Sequence, residues 1–232
     1  MSEETKGTQI TVHRALSLAK TTKKRIEEIL TSNGKHYFIA YRIGKSNTTN
    51  KNIPLDKARK DMQGSFDKIE KLISNYWRIK QAIMKNNAGI TEETKNIKTV
   101  TVNGEEMSVA DVIMLQKTFI QYKKLFLQML TKNYFNTLNE VEKYNVKIEV
   151  QLNKQLEIMA GGDKETMTSD SMKAFTMTYR ENNQAFIEDP LKLKEKIDAL
   201  EKEIARIEVE ADSALSEQNA LSIVTINLDD FD

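Results

Sequence analysis

The C-terminal part of the chain carries a heptad pattern of apolar residues. From Leu193 onward, apolar side chains recur at alternating steps of four and three, and nearly all residues between them are charged. A narrow apolar seam with charged flanks is typical of a helix that packs against another helix in a coiled coil. The pattern therefore predicts a helix–helix seam formed by Leu193, Ile197, Leu200, Ile204 and Ile207.

A second apolar stripe lies upstream and supplies the predicted partner of this seam. It follows the helix predicted over Val109–Met159, which Ser108 opens as N-cap, with Asp111 at the capping-box position. Gly161-Gly162 ends this helix, so the chain has room to return in the antiparallel direction. We therefore expect the C-terminal seam to be buried against Tyr134–Met159, within one chain or between chains.

The same periodicity predicts three further helices and gives the bounds of the seam helix. The first begins after Thr11, a good N-cap, and ends near Leu30. Proline fits the first turn of a helix, because its missing N–H is not needed there. The remaining helices are predicted from Pro54 to about Asn87, over Asp170–Phe186, and from Asp189-Pro190 to about Glu217.

Short strands are predicted beside the helix ends. His36–Ile43 is rich in aromatic and β-branched residues, and Leu221–Leu228 alternates in polarity. Lys98–Ser108 predicts a β-hairpin, because Asn103-Gly104 suits a type I′ turn.

These elements indicate a mainly α protein. We expect elongated antiparallel helical hairpins or a coiled coil, with a small β element at one end. Residues 1–108 would form N-terminal helices with the strand and hairpin, and residues 109–232 the long coiled-coil hairpin with a short C-terminal strand. The two parts are expected to form one continuous structural unit.

Composition narrows the classes of function. Lys plus Arg number 35 and Asp plus Glu 34, so a protein dedicated to duplex nucleic acid is disfavoured. The chain has no cysteine, which excludes thiolate nucleophiles and Cys-based zinc sites. We see no apolar run suited to a signal peptide or a membrane span, no phosphate loop and no metal-ligand spacing around the two histidines. We therefore expect neither an enzyme nor a cofactor or metal.

Two short segments could contact a ligand. Lys23, Lys24 and Arg25 form a basic cluster late in the first helix, where they either complement the helix dipole or bind an anion. Tyr37, Tyr41 and Arg42 place aromatic rings beside a guanidinium. This set could stack and pair with a nucleotide-like ligand, or simply form a sheet edge that packs on a helix.

The boundaries between the helices carry a family resemblance. An Asn-rich segment ends the helix of Ile69–Asn87, and Thr101–Gln116 opens the next helix with a glycine, a methionine, a small hydroxyl residue and an alanine. Together with Ala15–Leu30, these segments resemble the septicolysin-like proteins, over about a third of the chain. The resemblance ends after Leu130. The matching positions are Asn86, Asn87, Gly104, Met107, Ser108 and Ala110.

The resemblance implies an all-helical, oligomeric protein of bacteriophage or bacterial origin, and it implies no catalytic residues. The resulting expectation is a non-enzymatic, homo-oligomeric phage protein with a structural or assembly role, whose partners are copies of itself or other phage structural proteins. The alternative is a phage protein that sequesters a nucleotide immune signal. Either would be found in the cytoplasm of an infected bacterium or in the virion, neither secreted nor in a membrane.

Overall fold

A computed structural model describes residues 9–31, 36–87, 99–161 and 170–221. The protein is mainly helical and contains two small antiparallel sheets of two strands each, which confirms the predicted fold class. The elements are α1 (Val12–Thr31), β1 (Ala40–Ile43), α2 (Leu55–Asn87), β2 (Thr99–Val102), β3 (Glu105–Ser108), α3 (Val109–Met114), a π-helical turn (Leu115–Phe119), α4 (Ile120–Ala160), α5 (Asp170–Asn183), β4 (Ala185–Glu188) and α6 (Leu193–Ala220). In this part of the chain, no helix is both long and apolar enough to cross a membrane.

The chain divides into two compact units, each of which takes segments from both sides of residue 108. Helices α1, α2, α4 and α6 contribute to both units. The 33 residues of α2 span about 50 Å at 1.5 Å per residue, which is longer than one small core requires. Unit 1 comprises Met1–Glu28, Lys71–Leu125 and Ala199–Asp232, and unit 2 comprises Ile29–Glu70 and Phe126–Asp198.

Each unit has an aromatic cluster in its apolar core. In unit 2, the ring of Phe126 lies 6.0 Å from that of Phe38 and 5.4 Å from that of Phe66. In unit 1, Tyr76 and Tyr122 meet edge to face with their ring centroids 5.6 Å apart. Such pairs contribute about 1 kcal/mol each beyond the burial of their surface.

Most helix ends follow the predicted side-chain caps. The Arg14 amide donates to Thr11 Oγ1 at 3.3 Å, and the amide of Leu193 donates to the Asp189 carboxylate at 2.8 Å. Helix α6 begins at Leu193 rather than at Pro190, because Lys192 has a positive φ of 52°. Burial raises the pKa of Asp189, although backbone amides that donate to its carboxylate oppose this shift.

The capping box at Ser108 is present, but the helix that it opens is interrupted. The Asp111 amide donates to Ser108 Oγ at 3.2 Å, and the Ser108 amide donates to Asp111 Oδ2 at 3.3 Å. The Ile120 amide then bonds to the carbonyl of Leu115, five residues earlier, in the π-helical turn. The predicted continuous helix over Val109–Met159 is therefore divided into α3, the π-helical turn and α4.

The strands form one sheet in each unit rather than a single small sheet. Strands β2 and β3 make the predicted hairpin in unit 1, with φ values of 54° at Asn103 and 76° at Gly104. In unit 2, β1 pairs antiparallel with β4, so that Tyr41 faces Ile187. The predicted C-terminal strand lies outside the described residues, apart from Leu221.

Strand β4 replaces the end of the helix predicted over Asp170–Phe186, and this part of the prediction was wrong. The Asn145 side chain accepts from the Ala185 amide at 2.7 Å and donates to the Ala185 carbonyl at 3.1 Å. The Gln184 carbonyl accepts from the Gly44 amide at 2.8 Å. These partners satisfy the backbone groups that a continued helix would have paired internally.

Candidate functional site

The predicted basic cluster on α1 is solvated. Lys23, Lys24 and Arg25 are all exposed. Lys23 and Lys24 each lie 3.7 Å from a glutamate one turn later, Glu27 and Glu28 respectively. Exposed pairs at this spacing contribute only about 0.3–0.5 kcal/mol each. Two of the three cations of this cluster therefore form surface ion pairs.

Glu27 also binds a buried tyrosine, and this contact gives unit 1 a dependence on alkaline pH. Tyr122 Oη donates to Glu27 Oε1 at 3.3 Å. Burial, followed by the charge of Glu27, raises the pKa of Tyr122 to about 12 from 10. The folded protein therefore holds this proton more tightly than the unfolded chain.

We expect the contribution of Tyr122 to stability to be complete below pH 10 and to disappear as the pH rises from about 10 to about 12. A shift of this size corresponds to about 3 kcal/mol in the free energy of unfolding. Urea unfolding across this range compares the wild type with Tyr122→Phe, whose stability should fall less steeply. Parallel curves for the two proteins would contradict the assignment.

The second predicted set lies in unit 2 and is held by neighbouring side chains. Arg42 Nε donates to Glu188 Oε1 at 2.9 Å, and its guanidinium lies 5.0 Å from the centre of the Phe186 ring. Glu188 accepts a further hydrogen bond from Arg59 at 2.8 Å and is only 12% exposed at its side chain. The Arg42 side chain therefore links β1 to β4 through its hydrogen bond with Glu188.

Both predicted tyrosines also have protein partners. Tyr37 is buried, its hydroxyl donates to Asp61 at 3.5 Å, and the ammonium of Lys51 lies 5.2 Å from its ring centre. Tyr41 is half-buried in β1, and its side chain has a hydrogen bond with that of Asn50. Because Lys23, Lys24 and Arg25 belong to unit 1 and the other three to unit 2, a ligand site shared by all six residues stays a prediction.

The predicted seam of α6 is largely buried. Leu193, Ile197, Ile204 and Ile207 are buried, whereas Leu200 is only half-buried. Leu200 is therefore less buried than the sequence predicted. Leu200 lies on the edge of the apolar stripe, because a straight helix of 3.6 residues per turn drifts away from a 3.5-residue repeat.

The ion pairs between α6 and α4 lie nearer the N-terminus of α4 than the predicted partner segment Tyr134–Met159. Lys123 pairs with Glu203, and Lys124 lies 2.6 Å from Glu208. Just before α4, Gln116 donates to Asp212 at 2.6 Å. Gln116 contacts a later residue of α6 than Lys123 and Lys124 do, so the two segments run antiparallel.

The later part of α4 contacts α5 and the start of β4. Arg180 makes two hydrogen bonds of 2.9 Å to the Glu149 carboxylate, and Gln184 adds a third at 2.7 Å. The bonds from Arg180 hold the pKa of Glu149 below its ordinary value, against the opposing effect of burial. Helix α5 therefore occupies part of the position along α4 that the sequence assigned to α6.

The outward side of α4 in unit 2 carries an apolar surface that the sequence did not single out. Phe135 is 52% exposed, Val146 58% and Val150 50%. At 100° per residue, these three positions lie within about 60° of one another around the helix. The apolar stripe that does face the core of this helix is a different one, formed by Leu130, Val141, Ile148 and Leu152.

Charged and amide residues alternate with these apolar side chains on the surface that we call the α4 face (Phe135, Val146, Val150). Asn139, Glu142 and Lys143 are exposed between Phe135 and Val146 on the same helix. Apolar side chains together with charged groups of both signs are typical of a protein–protein contact. The missed signal was a second apolar periodicity within the helix, which could have been found by testing more than one stripe.

Among the described residues, no group of three or more His, Asp or Glu side chains could hold a metal ion. No protein-family model, curated protein or solved structure matches this chain.

Proposed function

We propose that this protein is a non-enzymatic, homo-oligomeric helical protein with a structural or assembly role in a bacteriophage, and that its copies associate through the α4 face. The exposed apolar side chains on the outward side of α4 are the observation that carries this proposal. The phage origin rests on the resemblance to the septicolysin-like proteins.

Burial of these side chains provides the driving force. Removing apolar surface from water contributes about 25 cal/mol per Å², so an interface that covers a phenylalanine and two valines in each copy gains several kcal/mol. The same helix already presents its opposite stripe to the core. Association with a partner would cover the α4 face.

Charge favours a second copy of this chain as the occupant. The formal net charge is +1, so two copies repel each other little. The border of the α4 face carries both signs, with Glu142 beside Lys143, and symmetric association places the same surface on both sides of the contact. Groups of opposite charge can then meet without a specialised partner.

The test compares two neighbouring positions on α4. Val150 belongs to the α4 face, whereas Gln151 is also exposed but lies roughly 100° further around the helix. We expect the wild type to be oligomeric by light scattering at tens of micromolar, a range in which an affinity near 1 µM gives mostly oligomer. Val150→Glu should weaken association about tenfold or more, because it places a charge in the contact.

Gln151→Glu introduces the same charge outside the α4 face and should leave the oligomer unchanged. Both variants should keep the wild-type helical content by circular dichroism, because both residues are exposed in each protomer. A wild type that is a clean monomer at tens of micromolar, or equal dissociation by both variants, would overturn the proposal.

A further inference from the structure

The charges of α4 are divided between the two sides of the α4 face. At 100° per residue, the middle of this face lies about 30° beyond Phe135 around the helix. Within the segment from Glu142 to Lys154, both glutamates lie about 50–70° to one side of this middle, and all three lysines lie about 50–90° to the other. We call these groups the acidic flank (Glu142, Glu149) and the basic flank (Lys143, Lys147, Lys154).

Most of these charges are available to a partner. Glu142 and the lysines of the basic flank are exposed, and none of them forms an ion pair with another residue in the described part of the chain. Glu149 is by contrast held by Arg180 at 2.9 Å. Pairing of charges across the α4 face therefore depends mainly on Glu142 within the acidic flank.

The relative direction of two associated copies decides which flanks meet. In a parallel, in-register pair, the two-fold axis runs along the helices, so the acidic flank of each copy faces the basic flank of the other. In an antiparallel pair, each flank faces its own counterpart. Charged residues beside a helix seam set the orientation of coiled coils in this way, because like charges that face each other are unfavourable. The charges of α4 therefore favour the parallel pair.

An asparagine in the middle of the α4 face favours the same arrangement. Asn139 is exposed and lies about 10° from this middle, between Phe135 and Val146 along the helix. In a parallel, in-register pair, the amides of the two Asn139 side chains lie opposite each other and satisfy each other's hydrogen bonds. An asparagine in a helix seam specifies register and a pair of helices at a cost in stability, because a shifted register leaves the amide against apolar side chains.

We propose that two copies of this chain associate through their α4 faces as a parallel, in-register pair of helices, with Glu142 of each copy beside Lys143 and Lys147 of the other. This inference rests on the proposed association through the α4 face, and it adds the direction, the register and the number of copies. Because the pair is symmetric about an axis along the helices, Phe135 and Asn139 of one copy each lie opposite the same residue of the other.

Disulfide trapping tests the direction, because the sequence contains no cysteine. Asn153 is exposed on α4, about 30° from the middle of the α4 face. In the parallel pair a cysteine at this position lies opposite its counterpart, whereas in an antiparallel pair centred on the face the two cysteines lie about 30 Å apart. A disulfide requires Cα atoms within about 7 Å of each other, so we expect Asn153→Cys to form a covalent dimer under mild oxidation.

Gln151→Cys is the matched control, because Gln151 is also exposed but lies about 160° away from Asn153 around the helix. It should stay unlinked. Light scattering of the reduced samples separates this inference from the proposed function. An associated protein in which Asn153→Cys does not form the disulfide, or in which Gln151→Cys forms it equally well, overturns the parallel pair and leaves association itself intact. A monomer overturns both.

Reversal of the charges on α4 provides an independent test. In the parallel pair, Glu142→Lys brings a lysine beside the basic flank of the other copy, so it should weaken association about fivefold at low salt. Addition of Lys143→Glu to this variant restores a pair of opposite charges and should recover most of the lost affinity. In an antiparallel pair Glu142 already faces a like charge, so equal affinity of the wild type and Glu142→Lys, with unchanged helical content, would overturn the inference.

Discussion

Gly44→Ala is expected to destabilise the protein severely. Gly44 has a φ of +54°, and a Cβ atom built there would lie 2.5 Å from the carbonyl carbon of Asn182 and closer still to its oxygen. Both contacts are backbone atoms, so no side chain can rotate away. The amide of Gly44 also donates to the Gln184 carbonyl, which fixes the distance between the two segments. We expect a loss of about 3 kcal/mol or more, from the strained φ and the displaced backbone together.

Gly64→Ala is the matched control for this variant and should have the opposite sign. Gly64 lies inside α2, and nothing lies within 4 Å of the position that its Cβ would occupy. Alanine is favoured over glycine inside a helix by about 1 kcal/mol, so this variant should be more stable than the wild type. Urea unfolding followed by circular dichroism measures both changes. Equal stability of the two variants would show that the close approach at Gly44 is not maintained in solution.

Local patterns were sufficient to predict the hairpin and the presence of each helix, although not all of the helix bounds. The helix bounds follow caps such as Thr11 and Ser108, whose side chains bond to amides three residues away. The type I′ turn at Asn103-Gly104 depends on two adjacent residues that tolerate positive φ. In each case the determining interaction lies within a few residues of the sequence.

Interactions between distant residues account for what the sequence did not predict. Strand β4 depends on Asn145, which lies 40 residues before Ala185. The Arg42 guanidinium has its partner at Glu188, a separation of 146 residues. Because Arg42 is used to join two strands, its exposure to a ligand could not be judged from the neighbouring tyrosines alone.

The pocket in unit 1 that Trp77 and Phe119 line also depends on residues that are distant in sequence, so the sequence did not predict it. Trp77 lies on α2 in unit 1 and is buried. Its neighbour Phe119 reaches it through the π-helical turn, which leaves no mark in a periodic pattern because it adds a single residue. Residues that line the pocket with them come from α2, the hairpin and α6, which are far apart in sequence.

Ile204→Asp is expected to have the second large effect, because Ile204 is 4% exposed within the seam of α6. An uncompensated charge buried at this position should cost about 3–5 kcal/mol of unfolding free energy. Lys202→Glu, two residues earlier on the exposed side of the same helix, should change it by about 0.5 kcal/mol or less.

Leu200→Asp adds a graded test, because Leu200 is half-buried and its loss of stability should fall between those of the other two variants. The ranking Ile204, Leu200, Lys202 follows only if burial along the seam sets the cost. Denaturant unfolding of the three variants under identical conditions measures this ranking. If Ile204→Asp and Lys202→Glu shift the unfolding midpoint equally, α6 does not bury its seam, and the helical packing assigned to this part of the chain is wrong.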